Sequence, residues 1–211
     1  MGIISMDDQP ISATFFNEGR WLTEFITPDA MEVKELYKEL TKGAPSKASC
    51  VAICREWVAN EIKYKPFIKG KLWVEGKSSV NQDVWLQPSL TKRIGVGNCA
   101  NKSFLLTSLL RNEFDPGEVH CVLGNLRNGN PGGHAWVQVN LGDRAFIVES
   151  TRPDVPDLVS ATVAERYEPV HFFNDKTAYA IEGRTVMEPF CNAYSTWLKD
   201  YLDWSYIEGR K

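Results

Sequence analysis

The segment from Cys99 to Asn112 constrains the fold more than any other part of this sequence. It is predicted to be a helix whose large apolar side chains lie around most of its circumference rather than along one stripe. These side chains belong to Phe104, Leu105, Leu106, Leu109 and Leu110. A helix without a polar face has to be enclosed by other elements, so the chain must fold as a domain built around it.

The remaining segments predict what encloses this helix. Helices are predicted at residues 30–42 and 47–63, a helical turn at 91–94, and strands at 119–126, 135–141, 145–148, 170–173 and 178–181. We also expect a short hairpin at residues 67–68 and 72–74, and a closing helix that contains Tyr194, Trp197, Tyr201 and Trp204. Helices followed by a meander of antiparallel strands are typical of the α+β class. The predicted organisation is an arm at residues 1–28 and a single domain at 29–211.

Charge and hydropathy exclude several classes of function. The 211 residues carry 24 Lys and Arg against 27 Asp and Glu, and the basic residues form no stripe, which argues against a nucleic-acid partner. No apolar run approaches the roughly 18 residues that cross a bilayer. Residues 1–10 lack the basic and apolar regions of a signal peptide. We therefore expect a cytoplasmic protein with no membrane partner.

One of the five cysteines differs from the rest. Cys50, Cys54, Cys121 and Cys191 stand in apolar surroundings and are interpreted as structural. Cys99 follows Gly-Asn and opens the enclosed helix, with Asn98 as a plausible N-cap. The positive end of a helix dipole favours a thiolate, which is the nucleophilic form of cysteine. Cys99 is therefore a candidate nucleophile, although a free cysteine is more often buried filler.

A histidine and a carboxylate are predicted to accompany this thiol. His134 stands where a Pro-Gly-Gly loop enters a strand, a position that suits a general base. A thiol–imidazole pair also needs an acceptor for the second ring nitrogen. The predicted hairpin returns through residues 145–148 to Glu149, which we expect level with His134 on the neighbouring strand. Asp154, five residues further on, is the weaker candidate for this acceptor.

These segments together resemble a known family. The chain reads Gly-Asn-Cys-Ala-Asn-Lys-Ser at residues 97–103, Gly-His-Ala-Trp-Val-Gln-Val at 133–139 and Phe-Ile-Val-Glu-Ser-Thr at 146–151. This order is similar to the core of the transglutaminase-like superfamily of papain-type cysteine enzymes, and the resemblance covers residues 84–151. It implies a papain-like fold with catalytic Cys99, His134 and Glu149. The chain departs from the family pattern at Asn98 and Asn101, where acids are usual, and at Glu149, where Asp is usual.

The resemblance also bears on the oxyanion hole. The backbone N–H of Cys99 is one natural donor to a developing negative charge. Residues 85–88 resemble a Trp-x-x-Pro stretch that precedes the cysteine in related proteins, which makes Gln87 or Trp85 candidates for a second donor. Asn98 is a further candidate for substrate binding. For each of these residues an ordinary packing role is an equally good interpretation.

The function expected from these features is that of a thiol-dependent hydrolase. Its substrate would be a peptide or protein, attacked at an amide, peptide or isopeptide bond through a thioester acyl-enzyme. We expect no cofactor. A protein-glutamine acyltransferase would share this chemistry up to the thioester, so it stays open. So does a non-catalytic peptide-binding module on the same fold, because a fold does not fix its function. A metal site made from the same three residues is the remaining alternative.

Overall fold

The computed structural model describes residues 3–5, 22–65, 69–74, 77–83, 85–127, 132–151, 158–161, 165–186 and 202–207. Within these ranges the α-helices are α1 (Met31–Leu40), α2 (Lys47–Glu61), α3 (Pro88–Ile94) and α4 (Cys99–Leu110). A single 3-10 turn, Leu22–Phe25, precedes them. None of the helices in the described ranges is long and apolar enough to cross a membrane.

Local sequence explains where the helices begin and end. Ser46 caps α2, because its side chain accepts a hydrogen bond from the backbone N–H of Ser49. Pro88 occupies the first turn of α3, where its missing N–H costs nothing. Gly95 ends that helix in the left-handed conformation, at φ 67°. Only the short span 96–98 then separates α3 from α4, so the two helices must lie close together.

Helix α4 is the centre of the molecule. Every residue from Cys99 to Leu110 is buried, including the polar side chains of Lys102 and Thr107. Helices α1, α2 and α3 and two strands of the main sheet, over residues 119–126 and 132–141, all pack against α4. The predicted enclosed helix is confirmed.

The main sheet has seven strands in the order β1-β11-β10-β6-β7-β8-β9, and every neighbouring pair is antiparallel. Their bounds are β1 (Ile3–Ser5), β6 (Val119–Leu126), β7 (Gly132–Leu141), β8 (Arg144–Val148), β9 (Val159–Ser160), β10 (Tyr167–Phe173) and β11 (Ala178–Ile181). A second sheet joins β3 (Lys69–Val74), β4 (Lys77–Asp83) and β12 (Leu202–Ile207), and β2 (Lys63–Tyr64) pairs in parallel with β5 (Val96–Gly97). The predicted α+β class, with helices on an antiparallel sheet, is confirmed.

The two faces of the main sheet have separate apolar clusters. Along β6, Cys121 and Leu123 face the helices, whereas Val122 points to the opposite face and packs with Trp136 and Tyr167. Gly124 of β6 lies directly against the Trp136 ring of this outer cluster. A Cβ at this position would lie 2.5 Å from the Trp136 ring and 2.2 Å from the carbonyl oxygen of Glu168, so only glycine fits.

Two sequence-based predictions need correction. The early hairpin exists, but residues 72–74, predicted as its second strand, belong to its first strand, β3, which pairs with β4; residues 67–68 lie outside the described residues. The closing helix is wrong over residues 202–204, which belong to β12, while residues 194–201 lie outside the described residues. Leu202, Trp204 and Tyr206 alternate with polar residues, a strand pattern that pairing with β3 realises.

Candidate active site

Cys99 is the first residue of α4 and lies at its positive end. The helix start is fixed by Asn98, whose Oδ1 accepts a hydrogen bond of 3.0 Å from the backbone N–H of Asn101. A Cβ at Gly97 would lie 3.2 Å from atoms of three neighbouring side chains, so a larger residue there would press on this first turn. Cys99 as a residue is 8% exposed, so the surrounding protein encloses it almost completely.

His134 brings its ring to this thiol from β7. Its imidazole lies close enough to the Cys99 thiol for that thiol to raise the pKa of His134, and its Nε2 atom lies 2.8 Å from Oε2 of Glu149. The ring stacks on Trp136 at a centroid distance of 6.1 Å and an interplanar angle of 27°. The three residues predicted from the sequence are therefore brought together, with the imidazole between the thiol and the carboxylate.

Glu149 is held by donors on both of its oxygens. Oε2 is shared by His134 Nε2 and by the Tyr167 hydroxyl, which lies 3.1 Å away. Oε1 accepts from the backbone N–H of Thr151 at 2.9 Å and from the Thr151 hydroxyl at 2.6 Å. An ionised carboxylate only accepts, so the His134 Nε2 atom carries the proton of this bond. That tautomer leaves Nδ1 for the thiol of Cys99.

The route by which Glu149 reaches His134 differs from the prediction in one respect. Val137 pairs with Val148, so an extension of this register sets Glu149 opposite Trp136 rather than level with His134. Glu149 follows directly after the last paired residue of β8, and its side chain reaches the imidazole diagonally. Diagonal neighbours across a sheet lie about 7–8 Å apart, a gap that the longer side chain of Glu spans well.

Electrostatics favour a charged pair at this site. Burial acts to lower the pKa of His134, but the hydrogen bonds with Cys99 and Glu149 and the charges of both outweigh it and raise that pKa above its usual 6.5. Burial likewise acts to raise the pKa of Glu149, yet the hydrogen bond with His134, its charge and the Thr151 donors lower it. An imidazolium is thus favoured beside an ionised carboxylate at neutral pH.

Two buried cations lie next to the site formed by Cys99, His134 and Glu149, and neither was predicted from the sequence. Arg55 of α2 donates from Nε to the backbone carbonyl of Glu149 at 2.9 Å. Lys102 of α4 donates from Nζ to the carbonyls of Ala59 and Ile62, at 3.1 and 2.8 Å, and so satisfies the C-terminal end of α2. Burial lowers the pKa of Lys102 to about 8. The one signal that pointed to Lys102 was that it is the single charged residue of α4.

The segment predicted to supply the oxyanion hole is docked on the first turn of α4. The backbone N–H of Leu86 donates to Oδ1 of Asn101 at 2.6 Å. The Trp85 ring is fully buried and packs edge-on against the stacked rings of Phe25 and Phe104, at centroid distances of 5.4 and 5.2 Å. Gln87 is half-buried at the N-cap position of α3.

The side chain of Asn98 is committed to capping α4. The structure thus places Trp85, Gln87 and Asn98 near the N-terminal end of α4, and their roles toward a substrate stay predictions.

The part of the chain that the structure describes holds no metal cluster, and a cavity lies on its main sheet. No group of three or more His, Cys, Asp or Glu side chains there is arranged to hold a metal ion. A surface cavity of about 310 Å³ lies on the sheet away from Cys99. Its lining residues are His120, Gln138, Asn140, Phe172 and Tyr179.

Comparison with known proteins gives a remote similarity. No family model matches the chain, and no curated protein matches it. Among solved structures, EGTA-treated LapG of Legionella pneumophila aligns with 74% of this chain and 89% of its own, at 14% identity and a TM-score of 0.48. The calcium-bound form of that protein aligns with 75% and 93%, at 13% identity and a TM-score of 0.47.

A third structure, described as "a Putative Cysteine Protease from Cytophaga hutchinsonii", is similar to a larger share of this chain. It aligns with 89% of this chain and 65% of its own, at 19% identity and a TM-score of 0.42. At such identities and TM-scores, the chemistry of the site has to be derived from its own atoms.

Proposed function

We propose that this protein is a thiol-dependent hydrolase that cleaves an amide, peptide or isopeptide bond in a peptide or protein. One observation carries the proposal: a single buried imidazole contacts the Cys99 thiol on one side and the Glu149 carboxylate, 2.8 Å away, on the other. A nucleophile bonded to a base, with the base oriented by a third group, is the arrangement that nucleophilic catalysis requires. The sequence resemblance to transglutaminase-like cysteine enzymes supports the same chemistry.

The proposed reaction has two halves. His134 takes the proton of the Cys99 thiol at Nδ1, and the thiolate attacks the carbonyl carbon of the substrate. The imidazolium then gives this proton to the leaving amine as the C–N bond breaks, which leaves a thioester on Cys99. Water attacks the thioester with His134 as base, the C–S bond breaks, and a carboxylic acid and the free thiol are released. Glu149 keeps the proton on Nε2 throughout and stabilises the imidazolium.

The negative charge of the tetrahedral intermediate would form at the N-terminal end of α4. The backbone N–H of Cys99 is the first proposed donor, and its position at a helix N-terminus adds the favourable end of the dipole. Gln87 is the proposed second donor, because Asn101 fixes the adjacent Leu86 against the same helix turn. Loss of one such donor typically lowers kcat by about 100- to 1000-fold.

A proteome-derived peptide library tests the proposal while the substrate is still unidentified. New peptide termini are mapped by mass spectrometry after incubation with the wild type, Cys99→Ala or Cys121→Ala. Cys121 is a matched control because it is also buried and lies in the same apolar cluster as Cys99, but it is on β6 rather than at a helix N-terminus, and burial raises the pKa of its thiol. We expect new termini with the wild type and with Cys121→Ala, and none with Cys99→Ala.

A second reaction, run with a biotinylated primary amine, separates hydrolysis from transfer. If biotin becomes joined to substrate carbonyls and no new termini appear, the reaction is acyl transfer rather than hydrolysis. No Cys99-dependent product of either kind, together with peptide binding that survives Cys99→Ala, would reject catalysis in favour of a binding module.

A further inference from the structure

Tyr167 stands directly behind the carboxylate of Glu149. It begins β10, eighteen residues after Glu149 in sequence, and its hydroxyl lies 3.1 Å from Oε2. On its other side the hydroxyl lies 3.0 Å from a terminal guanidinium nitrogen of Arg166. The phenol is therefore placed between a cation and the proposed catalytic acid.

The donor and the acceptor in the hydrogen bonds from Arg166 to Tyr167 and from Tyr167 to Glu149 follow from the chemistry of the three groups. A guanidinium only donates and an ionised carboxylate only accepts. The Tyr167 oxygen must therefore accept from Arg166, and its single proton must point to Glu149. Burial first, and the charge of Glu149 second, raise the pKa of Tyr167 to about 12, so the hydroxyl keeps this proton across the neutral range.

The ring of Tyr167 also fixes the place from which this proton is donated. It packs against Trp136 at a centroid distance of 5.1 Å and an angle of 68°, and its centroid lies 6.4 Å from that of His134. The residue is 8% exposed, and the guanidinium of Arg166 lies 5.0 Å above the ring. Tyr167 has little room to rotate, so its hydroxyl holds a fixed position.

We propose that Tyr167 is a positioning residue for the catalytic triad, which competes with His134 for one oxygen of Glu149 and so sets both the position of the carboxylate and its basicity. The inference rests on the proposed function. Without the Tyr167 proton, Oε2 would be held by His134 alone. The carboxylate would then be more basic toward the imidazolium and freer to turn about its side-chain torsions.

The effect of the Tyr167 hydroxyl on Glu149 has to be distinguished from the effects of the other charged groups around this carboxylate. They come from each element packed against it: Arg55 on α2, Lys102 on α4, His134 on β7 and Arg166 beside β10. Arg55 contacts the backbone of Glu149 rather than its carboxylate, and Lys102 donates to carbonyls of α2. The Tyr167 hydroxyl can thus be removed without breaking either contact.

The test uses Tyr167→Phe, which keeps the ring and removes only the hydroxyl. The pKa of His134 is measured by NMR of the three histidines, and the alkylation rate of Cys99 by iodoacetamide is measured against pH. We expect the pKa of His134 to rise by about half a unit, because its carboxylate partner loses a competing donor. Once a substrate is known, kcat should fall about tenfold with KM changed less than about twofold, since the loss affects the transition state.

Two further variants keep the outcome decisive. Tyr37→Phe is the matched control, because Tyr37 on α1 is also a buried tyrosine whose hydroxyl lies near a glutamate, Glu113, at 3.5 Å. It should leave the pKa of His134 unchanged. Arg166→Ala removes a partly exposed side chain with less risk to folding, and it should raise the pKa of His134 by a smaller amount, because the Tyr167 proton becomes a weaker donor.

An unchanged or lowered pKa of His134 in both Tyr167→Phe and Arg166→Ala would overturn the proposal. This result is distinguishable from failure of the proposed function, because the NMR titration needs no substrate. Wild-type Cys99 that is alkylated no faster than the other cysteines would reject the triad itself, whatever Tyr167 does.

Discussion

Two histidines of the same sheet show how opposite environments arise from similar sequence surroundings. His134 on β7 and His171 on β10 both stand in strands rich in apolar and aromatic residues. His134 is the more deeply buried of the two, yet its pKa is raised. His171 is half-buried, and burial lowers its pKa to about 4. The ring with less access to water is the one that favours the charged form.

The difference lies in what each ring contacts. Burial alone disfavours an imidazolium, as at His171 and at His120, where burial and then repulsion from Arg111 lower the pKa. At His134 an ionised carboxylate and a thiol outweigh that cost. Burial without a partner also disfavours the charged form of a thiol, and it raises the pKa of Cys54 to about 12. A buried group becomes reactive when a fixed partner stabilises its charged form, and the proposed active site is where this chain provides one.

Removal of the two imidazoles should give the largest contrast. His134→Ala should lower the rate of Cys99-dependent cleavage by at least about 1000-fold, because the thiol loses its base and the leaving amine its acid. His171→Ala should change that rate by less than about threefold. The measurement is the initial rate of appearance of new peptide termini at pH 7. Comparable losses in both variants would mean that the two rings matter to folding rather than to chemistry.

Glu149→Gln should lower the pKa of His134 and so make it more like that of His171. The amide keeps the shape of the side chain but removes the charge that stabilises the imidazolium, so the pKa of His134 should fall by one unit or more and cleavage by at least about 100-fold. Histidine NMR titration and initial rates measure the two effects. Glu168→Gln is the matched control, because Glu168 pairs with Arg127 rather than with a histidine. A pKa of His134 that stays high in Glu149→Gln would assign its elevation to Cys99 alone.

Protonation of His171 should contribute to the pH dependence of the free energy of unfolding. Its folded-state pKa lies below the unfolded value of about 6.5, so its neutral form contributes stability that is complete above pH 6.5 and is lost as pH falls toward 4. The loss amounts to no more than about 3 kcal/mol. Urea unfolding of His171→Phe should show a shallower decline between pH 6.5 and 4 than the wild type. Lys176→Met, which removes an exposed charge from the turn between β10 and β11, should decline like the wild type.

The smallest effect is expected from the helix cap. Asn98→Ala should cost about 1 kcal/mol of unfolding free energy, and Ser46→Ala, which uncaps α2, should cost a similar amount. Because the imidazole is proposed to control the thiol, Asn98→Ala should change the alkylation rate of Cys99 by no more than about threefold. A fall as large as that in His134→Ala would show instead that the helix start sets the reactivity of Cys99.

The sequence was informative wherever the deciding contact is local. The apolar circumference of residues 104–110 predicted the enclosed helix, and Gly142-Asp143 predicted the turn that returns β8 toward β7. The turn sets Glu149 beside His134, and the packing of α4 on β7 then brings Cys99 to this pair.

The supporting residues were not predictable in this way. Tyr167 and Arg55 reach Glu149 from elements 18 and 94 residues away in sequence, and nothing in their own surroundings signals a carboxylate. The predicted register of Glu149 was wrong by two residues, although the tight turn at Gly142-Asp143, which pairs Leu141 with Arg144, already implies that Glu149 lies opposite Trp136. The closing strand was predicted as a helix because its partner, β3, lies about 130 residues earlier in the chain.

The most direct test of the account is the pH dependence of iodoacetamide alkylation at each of the five cysteines, resolved by peptide mass mapping in wild type and His134→Ala. A thiolate paired with an imidazolium should make Cys99 alone react rapidly at pH 6, well below the pKa of about 8.5 of a free thiol. His134→Ala should abolish this advantage and leave the other four cysteines unchanged. Alkylation of Cys99 that follows the same pH curve as the others, or that is unaffected by His134→Ala, would contradict the thiolate–imidazolium pair on which the account depends.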